Sequence, residues 1–359
     1  MTTAHPYRGI AAYRHWQRAP GADNAAELDP QPHTKFTISP QDSIATAGSC
    51  FAQHVARHLK NSGFNALVTE LAPAILPRDI ASKFHYGLFT ARFGNIYTAR
   101  QLRQLVERAY GQFSPEATAW RRGDAYVDPF RPTICDFVST DELSAERDRH
   151  LAAVRKMVET LDVFVFTLGL TEAWLDRDGT VFPVAPGVHG GAFDPERYTL
   201  KNFTVEETAE DLRATLDIIR RHNKTARTVL TVSPVPLMAT ALDRHVLVST
   251  TYSKAVLRVA AQMVTDNDPL TDYFPSYEII TAPHCRGEYF GADARSVTQA
   301  GVDHVMRVFF KAYAGVEPAI GEKSTEEILS NGVEHRKKTE NILEVICEED
   351  LLRSDEPPQ

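Results

Sequence analysis

The chain has 359 residues, 43% of them hydrophobic, enough to bury the core of one large α/β domain with attachments or of two modest domains. No run approaches the roughly 20 consecutive apolar residues of a membrane span, and Met1 to Pro20 mixes Arg, His and Tyr without the apolar stretch of a signal peptide, so a cytoplasmic protein with no membrane partner is expected. The formal charge of −8 is concentrated: from Val316 onward twelve acids face five bases, and the near-neutral body lacks the clustered basic face that a nucleic-acid partner requires.

Residues 1–40 are rich in Pro, Ala, Asp and His, carry Tyr7, Tyr13 and Trp16 as aromatic anchors, and show no sustained periodicity. They read as an arm laid over a core. Residues 43–47 predict a first strand, 51–61 the helix after it, and 64–69 a short second strand. Ser139 with Glu142 is a capping-box signature for a helix from about residue 141. It leads into the apolar run 162–168, the strand best suited to a central position. Thr204 with Glu207 repeats the signature before a helix to about residue 222, followed by a strand at 228–232 that Pro234 and Pro236 end. A helix at 252–264, a strand at 277–281 and a last helix at 298–313 complete an alternation that predicts a parallel sheet covered on both faces. Residues 41–315 are thus read as one α/β domain, the one expected to carry the site. Residues 316–359 form an acidic tail, helical or partly disordered, suited to recruiting a protein partner.

Four segments, 48–50, 169–172, 233–236 and 283–293, each follow a predicted strand. In a parallel sheet they converge at the carboxyl edge, where open α/β sheets bind ligands. Cys50 sits where a strand turns into a helix, so its sulfur faces the N–H groups and positive dipole end of the first turn, which activates a thiol. Ser49 beside it is a second candidate nucleophile that needs a nearby base. The structural alternative is that Ser49 caps the helix and Cys50 fills a small buried space. Gly169, Leu170, Thr171 and Glu172 offer a backbone N–H and a side-chain donor to an oxyanion, or a cap for the next turn. In the stretch ARFGNIY, Gly94 and Asn95 occupy a loop; Asn95 suits an oxyanion and Arg92 an anionic substrate group, although an ordinary turn fits the same residues. Ser233 opens the third loop as a further substrate-binding candidate. For proton transfer, His284 and Asp293 share the fourth loop. His85, His150, His222 and His335 read as exposed polar positions, and His304 lies on the last helix, away from this edge. Cys50, Cys135, Cys285 and Cys347 show no CxxC pair, so reduced thiols are expected; no ligand spacing proposes a metal, and no cofactor is implied.

The run ATAGSCFAQHVARHL from Ala45 resembles the motif that names the bacterial GSCFA family, a group placed with the SGNH or GDSL hydrolases. ARFGNIYTARQL from Ala91, FTLGLTEAW from Phe166, TVSPVPL from Thr231, SKAVL from Ser253 and YFPSYEI from Tyr273 extend the likeness. The resemblance implies a flavodoxin-like three-layer α/β/α sandwich and ester or acyl-transfer chemistry, often on carbohydrates. In the superfamily's GDS pattern the nucleophilic serine is the second residue after the glycine. That slot holds Cys50 here, with Ser49 in the aspartate slot, which favours a thiol nucleophile. The GxND block falls on Gly169 to Glu172, with Thr171 replacing the oxyanion asparagine. The closing DxxH falls on Asp293 to Ser296 and lacks its histidine. Ser296 with Gln299 reads as a capping box for the last helix; either His284 substitutes as base, or the thiolate needs no strong base, or the chain does not hydrolyse esters. The expectation is an esterase or O-acyltransferase acting on a small-molecule or carbohydrate ester, with acyl-CoA as a further donor. The alternative is a sugar- or nucleotide-binding module that uses the same crevice without turnover.

Overall fold

A computed structural model of the chain describes residues 5–21, 24–316 and 349. β1 (Ile44–Gly48) turns at once into α1 (Phe51–Asn61). Then come α2 (Arg78–Lys83), α3 (Ala99–Ala109), the hairpin β2 (Trp120–Arg122) and β3 (Ala125–Val127), α4 (Thr140–Thr160) and β4 (Val163–Leu168). β5 (Glu172–Leu175), β6 (Val181–Phe182) and β7 (Thr199–Asn202) make a small antiparallel sheet with β5 in the middle. α5 (Val205–His222), β8 (Arg227–Val232), α6 (Val246–Thr265), β9 (Thr271–Phe274), α7 (Ser276–Thr281) and α8 (Gln299–Ala314) follow.

The main sheet runs β1-β4-β8-β9, all parallel, with Gly48 opposite Thr167 and Leu168 opposite Val232. Every residue of β1 and β4 is buried, which is why both read as small or apolar runs without polar alternation. Side chains still alternate between faces. Ile44, Val163, Val165 and Val229 pack with α1, α7 and α8 on one face. Ala47, Phe164, Phe166, Leu230 and Val232 pack with α3, α4, α5 and α6 on the other. The arm joins the first of these cores through Leu28 and Ile38, whose N–H donates to Tyr313 O at 2.8 Å. Among the described residues no helix is long and apolar enough to cross a membrane.

Four sequence expectations change. The strand expected at 277–281 is the helix α7; the fourth strand is Thr271–Phe274, hidden in the sequence by Thr271 and Asp272. Those polar groups are satisfied in place: the Asp272 carboxylate accepts from Lys35 N–H at 3.0 Å and from Tyr313 O–H at 3.1 Å. Pro275 ends the strand by withholding a donor from the ladder. Segment 64–69 makes one bridge, Ala66 to Ile44, rather than a strand. The cap of α8 is Thr298, which accepts from Gly301 N–H, while Ser296 donates its hydroxyl to Asp293. His85 and His150 are buried rather than exposed. His304 packs against the arm, donating Nε2–H to Leu28 O at 2.7 Å and accepting from Tyr289 O–H. His335, Cys347 and the tail, apart from Val316 and Glu349, lie outside the described residues.

His150 belongs to a buried charge network. Burial, aided by Arg131, pushes its pKa down to about 4, so the neutral ring donates Nδ1–H to Glu70 at 2.7 Å. For Glu70, burial pulls upward but is outweighed by His150, Arg131 and the Arg92 N–H, and its pKa falls to about 2. A carboxyl held lower in the folded than in the unfolded chain stabilises above the unfolded value of 4.5 and loses that contribution as pH drops toward 2. The term is about 3 kcal/mol. Glu70→Gln is expected to lose about that much stability at pH 7 and to flatten the acid limb of stability against pH between 4.5 and 2, measured by urea unfolding across that range.

Candidate active site

Gly48 fixes the first wall of the site. Its φ of +140° is a glycine conformation, and a Cβ there would lie 2.3 Å from Thr167 O. With no side chain in the way, Ser49 N–H donates to Thr167 O at 3.1 Å and Ile96 N–H to Gly48 O at 2.8 Å. The chain then enters α1 immediately: Ala52 N–H meets Ser49 O, and Gln53 N–H meets Cys50 O. Cys50 stands at the helix start, buried, with helical φ and ψ. Ser49 does not cap the helix. Its Oγ is buried without a hydrogen-bond partner among the described residues, and its Cβ packs against Gly169, where an added Cβ would come within 3.0 Å.

The loop through Gly94 and Asn95 forms the second wall. Gly94 takes a φ of +70°. Gln53, on the first turn of α1, donates Nε2–H to Asn95 Oδ1 at 3.1 Å, which pins the amide beside the Cys50 turn and makes Nδ2 its donor end. Gln101 braces the loop by donating to Asn95 O at 3.0 Å and accepting from Tyr97 N–H at 2.9 Å. Tyr97 O in turn accepts from Gly169 N–H and Leu170 N–H, both at 3.0 Å. Ser49, Cys50, Gly94, Asn95 and Gly169 are therefore brought together, as the sequence suggested.

The remaining candidates make other contacts. Thr171 has both donors committed inside the fold, N–H to Ser253 Oγ at 3.0 Å and O–H to Asn202 Oδ1 at 2.6 Å. Glu172 accepts from Thr240 O–H at 2.7 Å and lines a cavity of about 280 Å3 walled by Leu170, Trp174, Phe182 and Leu237. Ser233 is buried and continues the β4–β8 ladder by donating N–H to Leu168 O at 2.8 Å. Arg92 is turned into the buried network, donating to Glu146 at 2.6 Å and to Phe84 O at 2.7 Å. His284 was placed at the sheet edge by the strand expected at 277–281; with α7 intervening it instead lies in a short 3-10 turn, 5.0 Å from the Trp16 ring, lining cavities between the arm and α7. Asp293 folds its own loop, accepting from Arg295 N–H at 3.0 Å and Ser296 N–H at 2.9 Å.

Sequence reasoning passed over Lys254. It lies on α6, fully buried, and donates Nζ–H to Gly169 O at 2.6 Å. Burial pushes its pKa down to about 8, against the opposing fields of Glu349 and Cys50 and with the help of Arg295. The signal was present in SKAVL: Lys254 shares a helical stripe with Leu257 and Ala261, so a charge stands on the core-facing side. Arg295 was missed inside the degenerate DxxH; its Nε donates to Pro236 O at 3.1 Å.

Fold and site together define an α/β protein with a parallel sheet and a thiol and an amine converging at its carboxyl edge. The GSCFA family model matches residues 43–309, and the chain belongs to the GSCFA family. No curated protein matches it.

Two substitutions probe this construction. Gly48→Ala is expected to cost about 3 kcal/mol from the forbidden φ and the clash with Thr167, read as a lower urea midpoint. Lys254 prefers the neutral form more in the folded chain than in the unfolded one, so stability should rise with pH between about 8 and 10.5 and be flat below 8. Lys254→Met is expected to abolish that rise and to melt no lower than the parent at pH 7, as followed by calorimetry.

Proposed function

We propose that the chain is an acyl-transfer enzyme, an esterase or O-acyltransferase of the SGNH or GDSL type on a flavodoxin-like three-layer scaffold, with Cys50 as nucleophile and Ser49 in reserve. The observation that carries this reading is a buried amine of lowered pKa, Lys254, which is fixed by Gly169 O and feels the charge of Cys50 at the start of α1. A thiol and a base at the carboxyl edge of a parallel sheet are the minimum for covalent acyl transfer.

In this reading Lys254 as free amine takes the Cys50 proton, and the thiolate adds to the ester carbonyl. The new C–S bond places negative charge on the carbonyl oxygen, which backbone N–H groups at the start of α1 and Asn95 Nδ2 stabilise. Collapse breaks the C–O bond of an ester, or the C–S bond of acyl-CoA, and the departing alkoxide or thiolate takes the proton from the Lys254 ammonium. Water or an acceptor hydroxyl then gives its proton to Lys254 and attacks the thioester, and the released thiolate is reprotonated. Lys254 thereby takes the role expected of His284 and Asp293. The donor is a small-molecule or carbohydrate ester, or acyl-CoA.

Intact-protein mass after exposure to activated acyl esters and acyl-CoA tests the reading. A single acyl adduct is expected in the parent and in Ser49→Ala but not in Cys50→Ala. The acylation rate should rise with pH to a plateau above about 8 as Lys254 deprotonates, and this inflection should vanish in Lys254→Met. Loss of the adduct in Ser49→Ala alone would move the nucleophile by one residue. Absence of any adduct while other thiols react would leave a sugar- or nucleotide-binding module.

A further inference from the structure

Two groups from two separate segments contact one carboxylate, and a third feels its charge. Arg295, in the loop before α8, pairs its Nη2 with Glu349 Oε2 at 2.7 Å. Met238 N–H, in the loop after β8, points to Glu349 Oε1 at 3.5 Å. Lys254, on α6, feels Glu349 as its largest opposing charge, ahead of Cys50. The side chains of Arg295 and Glu349 are only 12% and 13% exposed, so this ion pair is shielded from water, unlike a surface pair of little worth.

The origin of the partners matters. Met238, Lys254 and Arg295 all lie within the family-matched span 43–309, whereas Glu349 comes from beyond it. The family domain thus supplies two cations that act on one another, and among the described residues the carboxylate acting on both is supplied from outside that domain. Two like charges in a water-poor cleft are unfavourable without an anion between them. Glu349 also lines the cavity of about 280 Å3 whose walls include Trp174, Phe182 and Leu237. An anion in the place of the Glu349 carboxylate would lay the rest of its body along apolar and aromatic surface.

We propose that Arg295 and Met238 N–H form a carboxylate-binding subsite beside the Cys50 cleft, that its ligand is a small carboxylate with an apolar or ring-shaped body, and that Glu349 fills the subsite as a built-in competitor. The binding claim stands on the contacts of Arg295 and Met238 with Glu349; that the carboxylate belongs to the acyl donor or acceptor rests on the acyl-transfer reading. Glu349 then acts on the enzyme as a tethered ligand does, lowering the apparent affinity of any free carboxylate.

The test is calorimetric titration of the full-length chain with glutarate, whose acid end copies the Glu side chain, with neutral glutaramide as control, in carboxylate-free buffer at low ionic strength. Glu349→Ala and Glu349→Gln are expected to bind glutarate on the order of tenfold or more tightly than the parent. Glutaramide should not bind. Adding Arg295→Met to Glu349→Ala should remove the gained affinity, with thermal melts confirming that each variant is folded. Equal affinity in parent and Glu349→Ala, no glutarate binding to Glu349→Ala, or affinity that survives the loss of Arg295 overturns the proposal. No step of this test needs a reaction, so failure of Cys50 to acylate and failure of the subsite are read separately.

Discussion

The end of β1 lies against β4 with nothing between them but backbone, because position 48 has no side chain, and the rest of the site is hung from that contact. Thr167 O holds Ser49 N–H, and Gly48 O holds Ile96 N–H, so one peptide unit ties the sheet to the loop that carries Asn95. α1 begins at Phe51, just past Ser49 and Cys50, which fixes where its unsatisfied N–H groups point. Gly169 repeats the device on the facing strand. A Cβ there would meet Ser49 Cβ and Tyr97 O at 3.0 Å, so the two strand ends and the loop can interlock only around glycines.

The same Gly169 carries the second constraint, since its carbonyl holds the Lys254 amine. A lysine inside a helix stripe is costly, because removing an ammonium from water is unfavourable unless charges and hydrogen bonds replace the solvent. The fold replaces it incompletely: one carbonyl, the fields of Cys50 and Glu349, and the opposing field of Arg295 leave the pKa near 8, where a proton moves easily.

The buried network beneath α2 and α4 shows the opposite design. Asp128 lies between Arg131 and Arg147, and Glu70 faces Arg92, Arg131 and His150, so each buried carboxylate has several cationic or N–H partners. The Asp128 carboxyl is held well below its ordinary value: burial opposes ionisation, but Arg131, Arg147 and Arg108 outweigh it. These matched charges lock the segment carrying Arg92 at one end of the loop that positions Asn95. Arg92 is thus structural support in a stretch whose sequence suggested ligand contact. A guanidinium in a glycine-containing loop carries no mark in sequence that separates the two roles.

What the sequence determined by itself is whatever short-range chemistry fixes. Burial on both faces makes β4 an apolar run, Thr204 and Glu207 form the reciprocal cap of α5, and a glycine followed by a helix start marks the Cys50 turn. Asn95 and Gly169 were also legible, because a loop glycine beside an amide and a glycine after a strand advertise close backbone approach. Tertiary structure alone decided the rest. β9 was concealed because the partners that let Asp272 sit in a strand come from residues 35 and 313, and His284 was misplaced along with it. Lys254, Arg295 and Glu349 meet only through folding, since their spacing along the chain follows no motif and their shared environment is created by desolvation and opposite charge across a cleft.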